Sequence, residues 1–161
     1  MHIAREALSE WGGIRGVFAH SKELVLRQLR AELQGKTILS GSAAAKQYLQ
    51  ARCGGDLHES FVCVYLNNKH HVVNIEVLFR GTIDGAPVYP REVVKRCLYF
   101  NAAAVIFAHN QPSSVAEPSE ADITVTRRLQ AALNTVDIRV LDHLVLAEQN
   151  VVSLAERRSM V

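Results

Sequence analysis

The chain has 161 residues, enough for about one domain that hides roughly 70% of its unfolded surface. Hydrophobic residues at 48% and charged residues at 21% exclude disordered, collagenous and coiled-coil chains. The net charge of +2 is too small for the broad positive field of a dedicated nucleic-acid binder.

Apolar residues from Ile3 to Leu33 fall at helical spacing, as in Ala4, Leu8 and Trp11. Gly12-Gly13 interrupts them, and Ser21 is placed to cap a second helix running through Leu33. Residues 1–35 thus read as a small helical extension, followed by the main domain at 36–161. Thr37-Ile38-Leu39 reads as a short extended piece, and Ser42 is placed to cap a helix to Arg52, which Cys53-Gly54-Gly55 breaks.

The hydrophobic period then changes to two. Phe61 to Leu66, a turn at Asn67-Asn68-Lys69 and His71 to Phe79 predict a β-hairpin. In its second strand Val73, Ile75, Val77 and Phe79 share one face, and Val72, Asn74, Glu76 and Leu78 the other. Glu76 therefore faces away from the purest core side, most simply as a solvated carboxylate near Arg80.

Pro90 opens a helix that carries Val93, Val94, Cys97 and Leu98 toward the core and ends near Asn101. Ala103 to Ala108 is short and wholly apolar, the mark of a central strand covered on both faces. His109 stands at its carboxyl end. A polar loop from Asn110 to Pro118 leads into a helix from Ser119 to about Asn134, then a strand from Ile138 to Leu146 and a short helix within Val151 to Arg158. The fold class is α/β, a mixed sheet with helices packed on it.

Cys53, Cys63 and Cys97 are odd in number and widely spaced, so they read as reduced, buried thiols. The amino terminus lacks an apolar signal stretch, and no apolar run approaches the ~20 residues a membrane helix needs. A cytoplasmic protein with no membrane partner is expected.

The polar cluster at the end of the buried strand is where α/β proteins place their sites. His109 and Gln111 are two apart, so extended backbone would send both side chains the same way, and Asp122 lies in the first turn of the next helix. The three are expected to converge. Ser119-Glu120-Ala121-Asp122 is also a helix-capping arrangement, and the two roles are compatible.

This spacing resembles the JAMM signature of the JAB/MPN family, in which two histidines two apart and an aspartate further on hold zinc. Further strings are similar to the RadC branch of that family: Glu76 to Thr82, Val88-Tyr89-Pro90-Arg91-Glu92, Ser119-Glu120-Ala121-Asp122 and Leu141-Asp142-His143-Leu144. The resemblance spans about Lys36 to Glu156. It implies a JAB/MPN-like fold and zinc-dependent hydrolysis of a peptide or isopeptide bond, with a peptide or protein as substrate.

By the same resemblance, His109, Gln111 and Asp122 are the metal ligands, Glu76 the general base acting on metal-bound water, and Ser119 the hydrogen-bond donor to the oxyanion. The pattern departs at His109-Asn110-Gln111-Pro112-Ser113-Ser114, where the family reads His-Asn-His-Pro-Ser-Gly. A glutamine amide offers a neutral carbonyl oxygen in place of an imidazole, so zinc should be weak or absent. Ser114 also lacks the freedom of the family's glycine.

His143 matches a RadC position, yet reads as a satisfied structural histidine. The opening residues are similar to the helix-hairpin-helix region of longer RadC proteins, but lack its glycine-containing hairpin and read as a truncated remnant. Lys22, Arg27 and Arg30 are more simply a solvated helix face. The family label is associated with DNA repair, and a non-catalytic module that binds protein or DNA is the alternative to a hydrolase.

Overall fold

The computed structural model describes residues 14–33, 43–54, 56–81, 87–113 and 115–160. Among them nine elements follow in order: α1 (Ile14–Leu33), α2 (Ala43–Cys53), β1 (Ser60–Leu66), β2 (Val72–Arg80), α3 (Pro90–Tyr99), β3 (Ala104–Asn110), α4 (Glu120–Asn134), β4 (Arg139–Leu146) and β5 (Val151–Ser153). The expected pieces at Gly12-Gly13, Gly35, Thr37 to Leu39, Ser42, Gly55, Thr82 and Ser114 lie outside the described residues.

Residues 1–32 and 33–161 form separate units. In the first, α1 is one continuous helix of 20 residues through Ser21, where a cap was expected. No proline or glycine pair follows Gly13 in this stretch, so the helix has nothing to stop it at the serine. Glu23 and Arg27 pair across one exposed turn at 3.3 Å.

The second unit is built on a five-stranded sheet of order β2-β1-β3-β4-β5. β1 pairs antiparallel with β2 and β3, β3 pairs parallel with β4, and β4 pairs antiparallel with β5. The fold is a mixed α/β sheet of the JAB/MPN type. The hairpin turn follows the sequence: the Asn67 side chain accepts from the Lys69 and His71 N–H groups, both at 2.9 Å, and His70 takes a positive φ.

β3 is buried along its whole length and sits between β1 and β4, as its apolar run predicts. Its parallel partner is reached through α4, a crossover that lays the helix on one face. That face holds Phe61, Cys63, Tyr65, Val105 and Phe107 from the strands against Val93 and Cys97 of α3 and Leu129 and Leu133 of α4. Val62, Val64, Ile106 and Ala108 alternate to the other side, and α2 packs against β3 and β4 with Tyr48 and Leu49 buried.

Two boundaries differ from expectation. α3 ends at Tyr99 with Leu98 exposed at 56%, because the buried stripe is centred on Val93 and Cys97, and Leu98 lies a helical step of about 100° off it. Asn101 then turns the chain with a positive φ. After Val151 the chain forms β5 and a turn rather than a helix, since pairing with Leu144 to Leu146 satisfies its backbone.

Candidate metal centre and its hydrogen-bond relay

Asn110 ends β3 by tying it to the segment before β1. Its side-chain oxygen accepts from Ser60 N at 2.7 Å, and its amide donates to the carbonyls of His58 and Asp56 at 2.9 and 3.2 Å. His109 is thereby fixed on the α4 face, opposite Phe61 of β1.

Ser119 caps α4 as predicted. Its hydroxyl accepts from Asp122 N at 3.2 Å, and Asp122 Oδ2 accepts from Ser119 N and Ser119 Oγ at 2.7 and 2.8 Å. The capping box leaves Asp122 Oδ1 facing His109 Nε2 at 3.2 Å. Zinc bonds of 2.0–2.2 Å at a tetrahedral angle would place two donor atoms about 3.3 Å apart, so this spacing suits a shared cation.

These groups form the polar end of a cavity of about 300 Å³ whose apolar wall is Phe61, Val88 and Val125. His109 Nδ1 meets His143 Nε2 at 2.8 Å, and His143 Nδ1 meets Thr126 Oγ1 at 2.6 Å. The His143 ring is fully buried and edge-on to Phe61 and Phe107. Burial lowers the pKa of both histidines; Asp122 opposes the effect at His109, and His109 adds to it at His143.

Gln111 does not join this group. Its Nε2 donates to Glu117 O at 2.8 Å and its Oε1 accepts from Glu117 N at 3.0 Å. It lines another cleft, with Asp56, Leu57 and Glu148. The loop holds this course because Gln111 N donates to Leu146 O at 2.7 Å and Ala116 N to the Asn150 side chain at 2.7 Å.

Glu76 lies elsewhere too. It pairs with Cys63, which pairs with Phe107, so it stands two strands across and two residues down from His109, roughly 12 Å along the sheet. It is neither solvated nor beside Arg80: on the face covered by α3, Arg96 donates to it through Nε at 2.7 Å and Nη2 at 2.9 Å, and Tyr65 Oη at 2.7 Å. Arg96, helped by Tyr65 and opposed by burial, holds the Glu76 carboxyl below its usual range. Alternation holds here, with Cys63, Val64 and Tyr65 opposite Glu76, Ile75 and Asn74 in turn; the face it gives Glu76 is one that α3 covers.

The zinc set implied by the family is therefore incomplete. Asp122 and His109 supply two donors, Gln111 is engaged elsewhere, and among the described residues no three His, Cys, Asp or Glu side chains group to hold a metal ion. Thr126 was missed in the sequence, although its place four residues after Asp122 puts both on one helix face.

The sequence profile of the RadC-like JAB domain matches residues 39–159. The chain belongs to the RadC-like JAB domain family. It is 45% identical to a UPF0758 protein of Marinobacter nauticus over 99% of this chain and 81% of that protein. A UPF0758 protein of Cellvibrio japonicus is 46% identical over 96% of this chain and 79% of its own length, and one of Nitrosomonas eutropha is 51% identical over 84% and 60%. The alignment with the Marinobacter protein runs over 181 positions, more than this chain has, so that relative carries residues without a counterpart here.

Proposed function

We propose that this RadC-like JAB domain keeps the frame of a zinc-dependent peptide- or isopeptide-bond hydrolase while holding zinc weakly and turning over little. The observation that carries this reading is the double hydrogen bond between Gln111 and the Glu117 main chain, which occupies the side chain at the third ligand position. In this reading His109 and Asp122 are the remaining ligands, and Ser119, at the rim of the cavity, donates to the developing oxyanion once its hydroxyl leaves Asp122 Oδ2. To act as general base in this reading, Glu76 would have to leave Arg96 and approach His109 from roughly 12 Å along the sheet.

The test is a zinc competition titration of the native chain beside Gln111→His. The variant should bind tighter by more than about 100-fold, since loss of even an outer-shell partner costs 10–100-fold. Equal affinity in the two proteins would overturn the assignment of Gln111 as the weak point.

A second reading is favoured by the engagement of both Gln111 and Glu76 in other bonds: a non-catalytic module that binds protein or DNA. Peptide hydrolysis by zinc-loaded native protein would exclude it, and absence of DNA binding at low salt would remove DNA as its partner.

A further inference from the structure

The cavity beside His109 has two unlike walls. Opposite its polar groups stand Phe61 from β1, Val88 from the approach to α3 and Val125 from α4. Val125 comes three residues after Asp122, so one face of α4 carries the polar group and then the apolar one. Phe61 is 3% exposed, its ring held against Phe79 and Phe107 at 6.1 and 5.3 Å between centroids, so the apolar wall has a fixed floor. Val88 and Val125 are half-buried, which leaves part of each for a ligand to cover. Among the described residues of the lining, Glu59 and Asp122 are carboxylates, and none is lysine or arginine.

We infer that this cavity is a side-chain subsite that takes one aliphatic residue of an extended peptide, leucine or methionine in size, with its flanking amides at the polar wall. The inference rests on the reading of the site as one for peptides, and it names the residue that the site selects. Its volume of about 300 Å³ lies at the low end of the ~300–1,000 Å³ range of ligand sites, room for a residue and its amides rather than a folded element. A glycine there leaves the apolar wall in water. An acidic side chain is set against two carboxylates, and a lysine must bring its ammonium group out of water past the valines to reach them. The selection is made by Phe61, Val88 and Val125, and it needs no bound cation.

The experiment is an NMR chemical-shift titration of metal-free protein with the N-acetyl methylamides of leucine, glycine, glutamate and lysine. Leucine should move the amide signals of Phe61, Val88 and Val125 together and bind at least about tenfold tighter than glycine or glutamate, a discrimination that one methylene can carry in an apolar pocket. Val125→Phe fills the cavity and should weaken the leucine ligand by about tenfold or more; Val125→Ala, the smaller change, should move the preference from leucine toward the phenylalanine methylamide. Equal affinity for leucine and glycine, tighter binding of glutamate or lysine, or no saturable shift at these residues would each overturn the inference, and the native chain alone decides among them. Failure of the hydrolase reading shows differently: selective leucine binding by a chain that cleaves no peptide when loaded with zinc sinks the hydrolase and leaves the subsite, whereas cleavage of glycine peptides with no leucine preference sinks the subsite and leaves the hydrolase.

Discussion

Gln111 and Glu117 are joined at two points, the carboxamide donating to the carbonyl and accepting from the N–H of the same residue. A side chain held this way reproduces the pairing of one strand residue with another, and it closes the loop between β3 and α4 on itself. Gln111 thus acts as a clasp for that loop.

Gln111→Ala should loosen that loop while leaving the sheet intact. The two bonds are exposed, so the loss should be small, roughly 0.5–1 kcal/mol. Hydrogen exchange should quicken at the Glu117 amide, with protection in β3 unchanged; equal exchange in both proteins would show that the clasp is not formed in solution.

Glu76 gives stability an acid limb. Its carboxyl in the folded chain lies below the value of about 4.3 expected when unfolded, chiefly through Arg96. The favourable pairing is fully present above that unfolded value and is lost as pH falls through the folded one. Glu76→Gln should therefore be less stable than the native chain at neutral pH, and the gap should shrink in acid. Urea denaturation across that range checks this, and a gap independent of pH would contradict it.

Asp142 fastens β4 to the chain beyond β5. Its Oδ1 accepts from His143 N at 2.7 Å and Ala155 N at 3.1 Å, and its Oδ2 accepts from Ser153 Oγ at 2.7 Å. Asp142→Asn replaces one buried acceptor with a donor and should cost about 2–3 kcal/mol. Thermal unfolding measures the loss; a variant as stable as the native chain would show that this cluster is not formed.

The three cysteines are buried, reduced thiols. Burial, with Glu76 adding to it, pushes Cys97 up to about 12, and burial together with Cys97 raises Cys63 well above the usual thiol range. Both should resist a disulfide reagent at mildly alkaline pH and react once denatured, since the thiolate is the nucleophile. Rapid labelling of the folded chain would contradict this.

The chain's own letters carried much of the fold. The wholly apolar run before His109 announced a central strand, and the serine and aspartate three residues apart announced the α4 cap that brings Asp122 to His109. Spacing alone did not place Gln111, because its direction depends on loop bonds to Leu146 and Asn150, far along the chain. Arg96 was equally hidden: it reaches Glu76 through the packing of α3 on the sheet, and no local pattern links residues twenty apart. β5 was mistaken for a helix because three residues leave too short a pattern to separate the two periods.

The parallel pairing of β3 with β4 through α4 has a consequence for how the molecule assembles. His109, Ser119, Asp122, Thr126 and His143 all lie on this one crossover unit, and the sheet packs on apolar side chains. Their geometry is therefore set by one stretch of chain, from 104 to 146. A residue on its connecting loop is thus free to change without unfolding the sheet.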